Sequence, residues 1–336
     1  MRSASFPYQS ESDVLTQRIH NDDVVVLTRS IHHLSNNIVL ERKHLCTGPT
    51  LPPVILVHGF AQNRFTWDCS QRSMANYLVA QGYDVWNMEL PGHGRSRSPN
   101  SVGGESFSEY VQAMISVANY IKEPAFWIGH SLGGATIYSA ATQMNPLKTR
   151  GIIGVAALYH FGHNPITKVI CQLTQRLSKR SVLGAIRIKT KAGGMLLSRL
   201  YSISDIVGYT FPLSGWWPDT VEPDLFEERM RLGMDWTNIE IWKEMSGWAL
   251  SNSFPYRDKW SVLDIPLLVA LGDKDHLLTI TDGKPAYLES GSHDKELIIF
   301  DDYHHDTHWG HLDIILGKKA PHFVWPHIHR WMKQRC

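Results

Sequence analysis

The chain has 336 residues, 43% of them hydrophobic, which suffices for one large α/β domain or two smaller ones with a sizeable core. Its 33 Lys and Arg nearly balance 32 Asp and Glu, so the formal net charge of +1 points to no nucleic-acid partner. Four dispersed cysteines without a CxxC pair argue against zinc and redox motifs, and no apolar run approaches the roughly 18 residues of a membrane span. The opening MRSASFPYQSESD lacks the apolar core of a secretory signal, so a soluble, cytoplasmic protein is the expectation.

Residues 1–13 are polar and read as a flexible N-terminal segment. Val24–Leu27 and Ile38–Leu40 are strand-like, and Pro53–Val57 is a continuous apolar run of the kind buried on both faces of a parallel sheet. Arg72–Gln81 has one apolar helical face, with Gly82 as a stop. Tyr83–Leu90 is a further strand, ended by Pro91-Gly92-His93-Gly94. Ser106 and Glu109 have capping-box spacing before a helix that aligns Val111, Met114, Ile115, Ala118 and Ile121. Strand Ala125–Gly129, helix Gly134–Gln143 and strand Ile152–Leu158 continue the alternation. After Tyr159 it stops, and about 160–257 is helix-prone and rich in Trp and Met. Strands Ile265–Leu271 and Glu296–Phe300 follow, then a helix from about Pro321, in which Pro326 predicts a kink or the true start. The pattern predicts an α/β fold with a doubly wound, mostly parallel sheet. Residues 14–159 and 258–336 form its core, and 160–257 an inserted helical cap.

The stretch Gly129-His130-Ser131-Leu132-Gly133 lies between a strand and a helix. A serine there must project beyond the sheet edge, and glycines two before and two after remove side chains that would clash in so sharp a turn. This is the G-x-S-x-G nucleophile elbow. It places Ser131 at a helix N-terminus, where N–H groups favour developing negative charge. A serine hydroxyl needs a base, and the base an orienting acid. The loops after two later strands offer both, with Asp273 and Asp275 in one and His304, His305, His308 and His311 in the other. Leu132 N–H and Phe60 N–H, the latter in the turn after Val57, are the natural oxyanion donors.

In PVILVHGFAQN (53–63), PGHGRS (91–96), GHSLGG (129–134), LLVALGDKD (267–275) and WGHLDIILGKKAP (309–321) the sequence resembles the α/β-hydrolase superfamily, over nearly the whole chain apart from the cap. The last segment is similar to the histidine segment of acid and gastric lipases, where a His-Leu-Asp triplet opens with the catalytic base. The resemblance implies Ser131 as nucleophile, Asp275 as acid through a Gly272-x-x-Asp spacing, and His311 as base. His311 also precedes an apolar run that can anchor it. Glu89 stands where many relatives have Asp, a change expected to alter local packing. His58 and His130 are expected to brace backbone, and His160 and His163 to be structural.

Relatives that open epoxides or remove halides carry a carboxylate at the position of Ser131, because they form an alkyl ester. A serine suits attack on a carbonyl and an acyl-enzyme. The implied activity is hydrolysis of carboxylic esters with apolar acyl groups, needing no cofactor or metal. The alternatives are an acyltransferase or thioesterase with the same triad, and a non-catalytic ligand-binding protein of this fold. Trp216, Trp217, Trp236, Trp242, Trp248, Met195, Met230, Met234 and Met245 make the cap apolar, with Ile239, Trp242, Met245 and Ala249 on one face. No Asp or Glu occurs from Pro124 to Ser204, while Arg176, Lys179, Arg180, Arg187, Lys189, Lys191 and Arg199 accumulate. That pattern suits a small-molecule or lipid ester substrate and transient contact of the basic part of the cap with anionic membrane surfaces.

Overall fold

Apolar runs closed by glycine, proline or acidic turns become the strands of a ten-stranded sheet. The computed structural model describes residues 7–10, 12–97, 104, 106–178, 187–189 and 215–336. In chain order the strands are β1 (Tyr8–Gln9), β2 (Asp13–His20), β3 (Asp23–His33), β4 (Val39–Leu45), β5 (Leu51–Val57), β6 (Tyr83–Glu89), β7 (Ala125–His130), β8 (Thr149–Val155), β9 (Arg187–Lys189), β10 (Trp236–Asn238), β11 (Leu267–Gly272) and β12 (Lys295–Phe300). The main sheet runs β1-β3-β4-β6-β5-β7-β8-β11-β12, with β2 paired to β3, and β9 and β10 pair as a separate ribbon. From β6 to β12 every neighbouring pair is parallel. The edge from β1 to β4 is antiparallel, and β4 joins β6 antiparallel. Tyr8–Gln9, within the stretch that reads as loose, pairs with His32 and His33.

The principal helices are α1 (Met74–Ala80), α2 (Phe107–Tyr120), α3 (Leu132–Ala141), α4 (Pro165–Ser178), α5 (Pro223–Gly233), α6 (Ile239–Ser251) and α7 (Ala320–Lys333). Alternation along β5 divides the core. Ile55 and Val57 pack with Met114, Ile137 and Leu132 on the α2–α3 side, while Val54 and Leu56 pack with Met74, Leu78 and Trp325 on the α1–α7 side. With both faces covered, β7 and β11 are buried along their whole length, as their unbroken apolar sequences require.

Three local expectations are modified. Ser106 caps α2 by accepting from Glu109 N–H, but the Glu109 carboxylate takes Gly104 N–H instead of returning to Ser106, so the box is half formed. Helix α7 begins at Ala320 and continues through Pro326, which therefore does not mark its start. The buried face of α6 is Ile241, Met245, Ser246 and Ala249, with Trp242 half-buried beside it.

Between β8 and β11 lie α4, β9, α5, β10 and α6. Helix α4 packs along α6, where Trp242 Nε1 donates to Thr174 Oγ1 at 2.9 Å and Gln175 Nε2 to Lys243 O at 2.6 Å. Of the basic run, Lys179, Arg180, Lys191 and Arg199 lie outside the described residues, as does Met195.

Candidate active site

Ser131 stands alone between the end of β7 and the start of α3, at φ +55° and ψ −125°. An L-residue is strained there. Neighbouring backbone holds it: Ser131 N–H donates to Ala156 O at 3.1 Å, and Ser131 O accepts from Gly134 N and Leu158 N, both at 3.0 Å. The two elbow glycines have steric grounds. A Cβ on Gly129 would lie 2.6 Å from Gly134 N, and one on Gly133 would lie 2.4 Å from His58 O. Any side chain at either position would push the elbow off the ends of β5 and β7.

Two histidine–aspartate pairs stand side by side after β11 and β12. His311 Nδ1 is 2.7 Å from Asp275 Oδ2, both groups buried. Asp275 Oδ1 accepts from Leu277 N and Leu278 N at 2.9 and 2.8 Å, which fixes the carboxylate. With Asp275 accepting from Nδ1–H, the His311 tautomer leaves Nε2 as the nitrogen with a free lone pair. The neighbouring pair is His308 Nδ1 with Asp273 Oδ2 at 2.5 Å, and Asp273 also accepts from Trp309 N. The geometry thus separates the two candidate acids: Asp275 serves His311, and Asp273 holds the loop that precedes it.

His130 joins the elbow to the histidine loop. Its Nε2 donates to His311 O at 2.8 Å, and the two rings are 4.5 Å apart. Burial holds the His130 ring neutral, well below the usual imidazole range. His58 performs a similar service for the turn after β5. Its Nε2 accepts from Leu90 N at 3.0 Å and its Nδ1 donates to Gly59 O at 2.9 Å, again as a neutral, buried ring. Beyond that turn come Phe60 N–H and, across the elbow, Leu132 N–H. Neither has a hydrogen-bond acceptor among the described residues. Ser131 Oγ is likewise free of a protein partner among them, so the serine–histidine contact is not closed here. Such contacts commonly tighten only with substrate bound.

Further residues support these pairs, and Asp313 among them escapes a sequence reading. Asp313 is buried and accepts from Gly310 N (2.7 Å) and Trp217 N (2.9 Å), with Thr220 Oγ1 2.8 Å away, tying the His311 loop to the segment before α5. Burial raises its carboxyl to about 7. The protonated form fits, since Thr220 Oγ1 is also 2.6 Å from Trp217 O and can pass a hydrogen bond onward. Only the His-Leu-Asp triplet hinted at it. Glu89 accepts from Arg95 N at 2.9 Å and Arg64 at 3.2 Å, and so shapes the PGHGRS turn as packing, not chemistry. His163 pairs with Asp282 at 2.6 Å and His160 N–H donates to Asp282 O, both structural contacts. Near the turn after β5 the side chains are aromatic. The Phe60 ring lies 5.7 Å from Trp242, which also meets Phe161 at 5.9 Å. Asp273, Asp302 and His308 lie close enough to share a cation, but two of the three are already paired with each other and the third, Asp302, is exposed.

A family model described as "alpha/beta hydrolase fold" matches residues 52–312. Among curated proteins, the pimeloyl-[acyl-carrier protein] methyl ester esterase of Edwardsiella ictaluri is 34% identical over 117 residues, 34% of this chain and 39% of that protein. Its Klebsiella pneumoniae counterpart is 30% identical over 104 residues, 31% and 36% respectively. These matches span well under half the length of either esterase. Among solved structures, Paleococcus ferrophilus monoacylglycerol lipase superposes with a TM-score of 0.65 at 18% identity, covering 89% of this chain and 99% of that one. A soluble variant of Saccharomyces cerevisiae monoglyceride lipase gives 0.61 at 17% identity, covering 99% and 100%. At such identities the two structures speak for the fold alone.

Proposed function

This chain belongs to the alpha/beta hydrolase fold family, and from that premise we propose that it is a serine hydrolase of carboxylic esters with apolar acyl groups. Ser131 Oγ attacks the ester carbonyl and gives its proton to His311 Nε2. Asp275 holds the tautomer and stabilises the imidazolium that results. Phe60 N–H and Leu132 N–H receive the oxyanion. Collapse of the tetrahedral intermediate expels the alcohol, which takes the proton from His311 and leaves an acyl-Ser131. Water then repeats the sequence and frees the acid. The observation that carries this reading is the buried Asp275–His311 pair, tied by His130 to the elbow that bears Ser131.

Epoxide hydrolase A of Mycobacterium tuberculosis matches at 27% identity over 93 residues, 27% of this chain and 28% of that protein. Opening an epoxide through a covalent ester needs a carboxylate nucleophile, and Ser131 stands in its place. Residues 160–257 are read as the cap, and Trp242 beside Phe60 supports an apolar acyl pocket under it. A lipid-surface contact is part of the same reading. Helix α4 exposes Ile166, Val169 and Leu173 at one-face spacing, with Lys168 and Arg176 on the same helix. No helix among the described residues is long and apolar enough to cross a membrane. A cytoplasmic setting fits the four free cysteines, of which Cys46 and Cys336 are exposed.

The test is labelling with a fluorophosphonate probe, combined with turnover of p-nitrophenyl esters from acetyl to octanoyl. Label on Ser131, activity lost in Ser131→Ala by about 10³-fold or more, and kcat/KM rising with chain length are expected. Label elsewhere with activity surviving in the alanine variant overturns the triad. A steady decline toward octanoyl overturns the apolar pocket. Adding alcohol and thiol acceptors to the same assay separates hydrolysis from acyl transfer.

A further inference from the structure

Helix α5 carries a cation that the triad does not account for. Arg229 is fully buried, and its Nε and Nη1 have no hydrogen-bond partner among the described residues. No carboxylate among them pairs with it, and burial lowers its guanidinium only to about 10, so it stays charged at neutral pH. An uncompensated buried charge is expensive to the fold, and packing alone does not account for one. The one hydrogen bond it makes among the described residues is informative. Arg229 Nη2 donates to Thr66 Oγ1 at 3.2 Å, and Thr66 Oγ1 donates its only proton to Gln62 Oε1 at 2.8 Å. Gln62 Oε1 also takes Gly59 N–H at 3.3 Å. With both donors on Oε1, the Gln62 amide is oriented without ambiguity.

That chain ends at the reacting centre. A Cβ built on Gly59 would sit 2.8 Å from Ser131 Cβ and 3.3 Å from Gln62 Oε1, so the nucleophile and the glutamine flank the same face of Gly59. The next peptide N–H is that of Phe60. Segment 232–235 grips the same turn from the α5 side, through Asn63 Nδ2 to Leu232 O at 2.8 Å and Asp235 N to Ala61 O at 2.8 Å. We infer that Arg229, acting through Thr66 and Gln62, is a positioning residue for the oxyanion turn: it fixes the Gly59–Phe60 peptide and supplies a preorganised positive field where the acyl oxyanion forms. This rests on the esterase reading above. Among the described residues no carboxylate neutralises that charge. A developing oxyanion at the turn feels its positive field more than a neutral ester carbonyl does, and an interaction stronger in the transition state than in the ground state accelerates a reaction.

The test compares Arg229→Met, Arg229→Lys, Thr66→Val and Thr66→Ser for kcat, KM and Tm, with p-nitrophenyl butyrate as substrate and Ser131→Ala as control. Arg229→Met and Thr66→Val are each expected to lower kcat about 10- to 100-fold with KM within about twofold. Their double variant should lose no more than the worse single, because both cut one chain. Arg229→Met should melt no lower than the parent, since it removes an unpaired buried charge, and Arg229→Lys and Thr66→Ser should recover part of kcat. A structural role predicts the reverse: Tm falling in step with activity, or a variant that does not fold. Either result, multiplicative losses in the double, or undiminished kcat overturns the inference. Activity surviving in Ser131→Ala would instead overturn the esterase reading itself.

Discussion

Replacing Ser131 with glycine should make the protein more stable while removing its activity. The argument begins with φ +55° and ψ −125° at that residue, a conformation that costs an L-residue about 1–3 kcal/mol and glycine almost nothing. Against the relief stands the greater freedom of glycine in the unfolded chain, about 0.5–1 kcal/mol. The net gain is about 1 kcal/mol. Across 336 residues the unfolding entropy near the midpoint is about 0.7 kcal/mol/K, so Tm should rise about 1–2 °C. Ser131→Ala is the control. It abolishes the same chemistry but keeps the strain, and should fall within about 0.5 kcal/mol of the parent. Urea unfolding and calorimetry on the three proteins provide the assay, with ester turnover measured in parallel. If the glycine variant is no more stable than the alanine variant, the elbow stores no strain and the reasoning is wrong.

Asp275→Asn should lower kcat by about 10³- to 10⁴-fold through the wrong imidazole tautomer, whereas Asp273→Asn, which serves His308, should cost less than about tenfold; equal losses would mean that the two pairs had been misassigned. Neutral, buried His58 and His130 have folded pKa values below their unfolded ones, so the unfolded chain takes up their protons first and stability is lost as pH falls below about 6.5. Asp313, raised to about 7, acts in the opposite sense. Urea unfolding of His130→Gln between pH 6.5 and 5 should therefore show a mean slope shallower by about 1.1 kcal/mol per pH unit, and an unchanged slope would refute a neutral His130. The protein should co-sediment with anionic vesicles at low salt, and an Ile166→Ser, Val169→Ser, Leu173→Ser variant should lose that binding while keeping turnover of soluble esters; sedimentation unaffected by the triple change would remove α4 as the contact.

The parallel strands and the elbow were legible because their signals are local. Val54–Val57 and Leu267–Leu271 are continuous apolar runs, and Gly129 and Gly133 are required by contacts only 2.4–2.6 Å away. Bounds shifted where a cap or a pairing partner decides them. Helix α3 starts at Leu132, two residues before the expected Gly134, and Thr149 extends β8 backward because Ala125 offers it a partner. Strand β2 went unseen: its burial is one-sided and its sequence, DVLTQRIH, is mixed, so only pairing with β3 makes it a strand. The least legible feature is Arg229. In the run Glu227-Glu228-Arg229-Met230-Arg231 it looks like any surface cation, and only the packing of α5 over Arg64–Thr66 buries it.

The strand order has a consequence for how the chain comes off the ribosome. β8 pairs with β7 on one side and β11 on the other, yet roughly 110 residues of sequence separate β8 from β11. At about 5–20 residues per second, a growing chain holds β8 as an open edge for about 5–20 seconds. That edge, Thr149-Arg-Gly-Ile-Ile-Gly-Val155, is mostly apolar and offers unpaired backbone groups to any other nascent chain. Synthesis order also separates the chemistry in time. Ser131 emerges well before Asp275, and His311 comes last of the three. On the proposed triad, a chain stalled before residue 311 has the nucleophile without its base and exposes the β8 edge before it can cleave an ester.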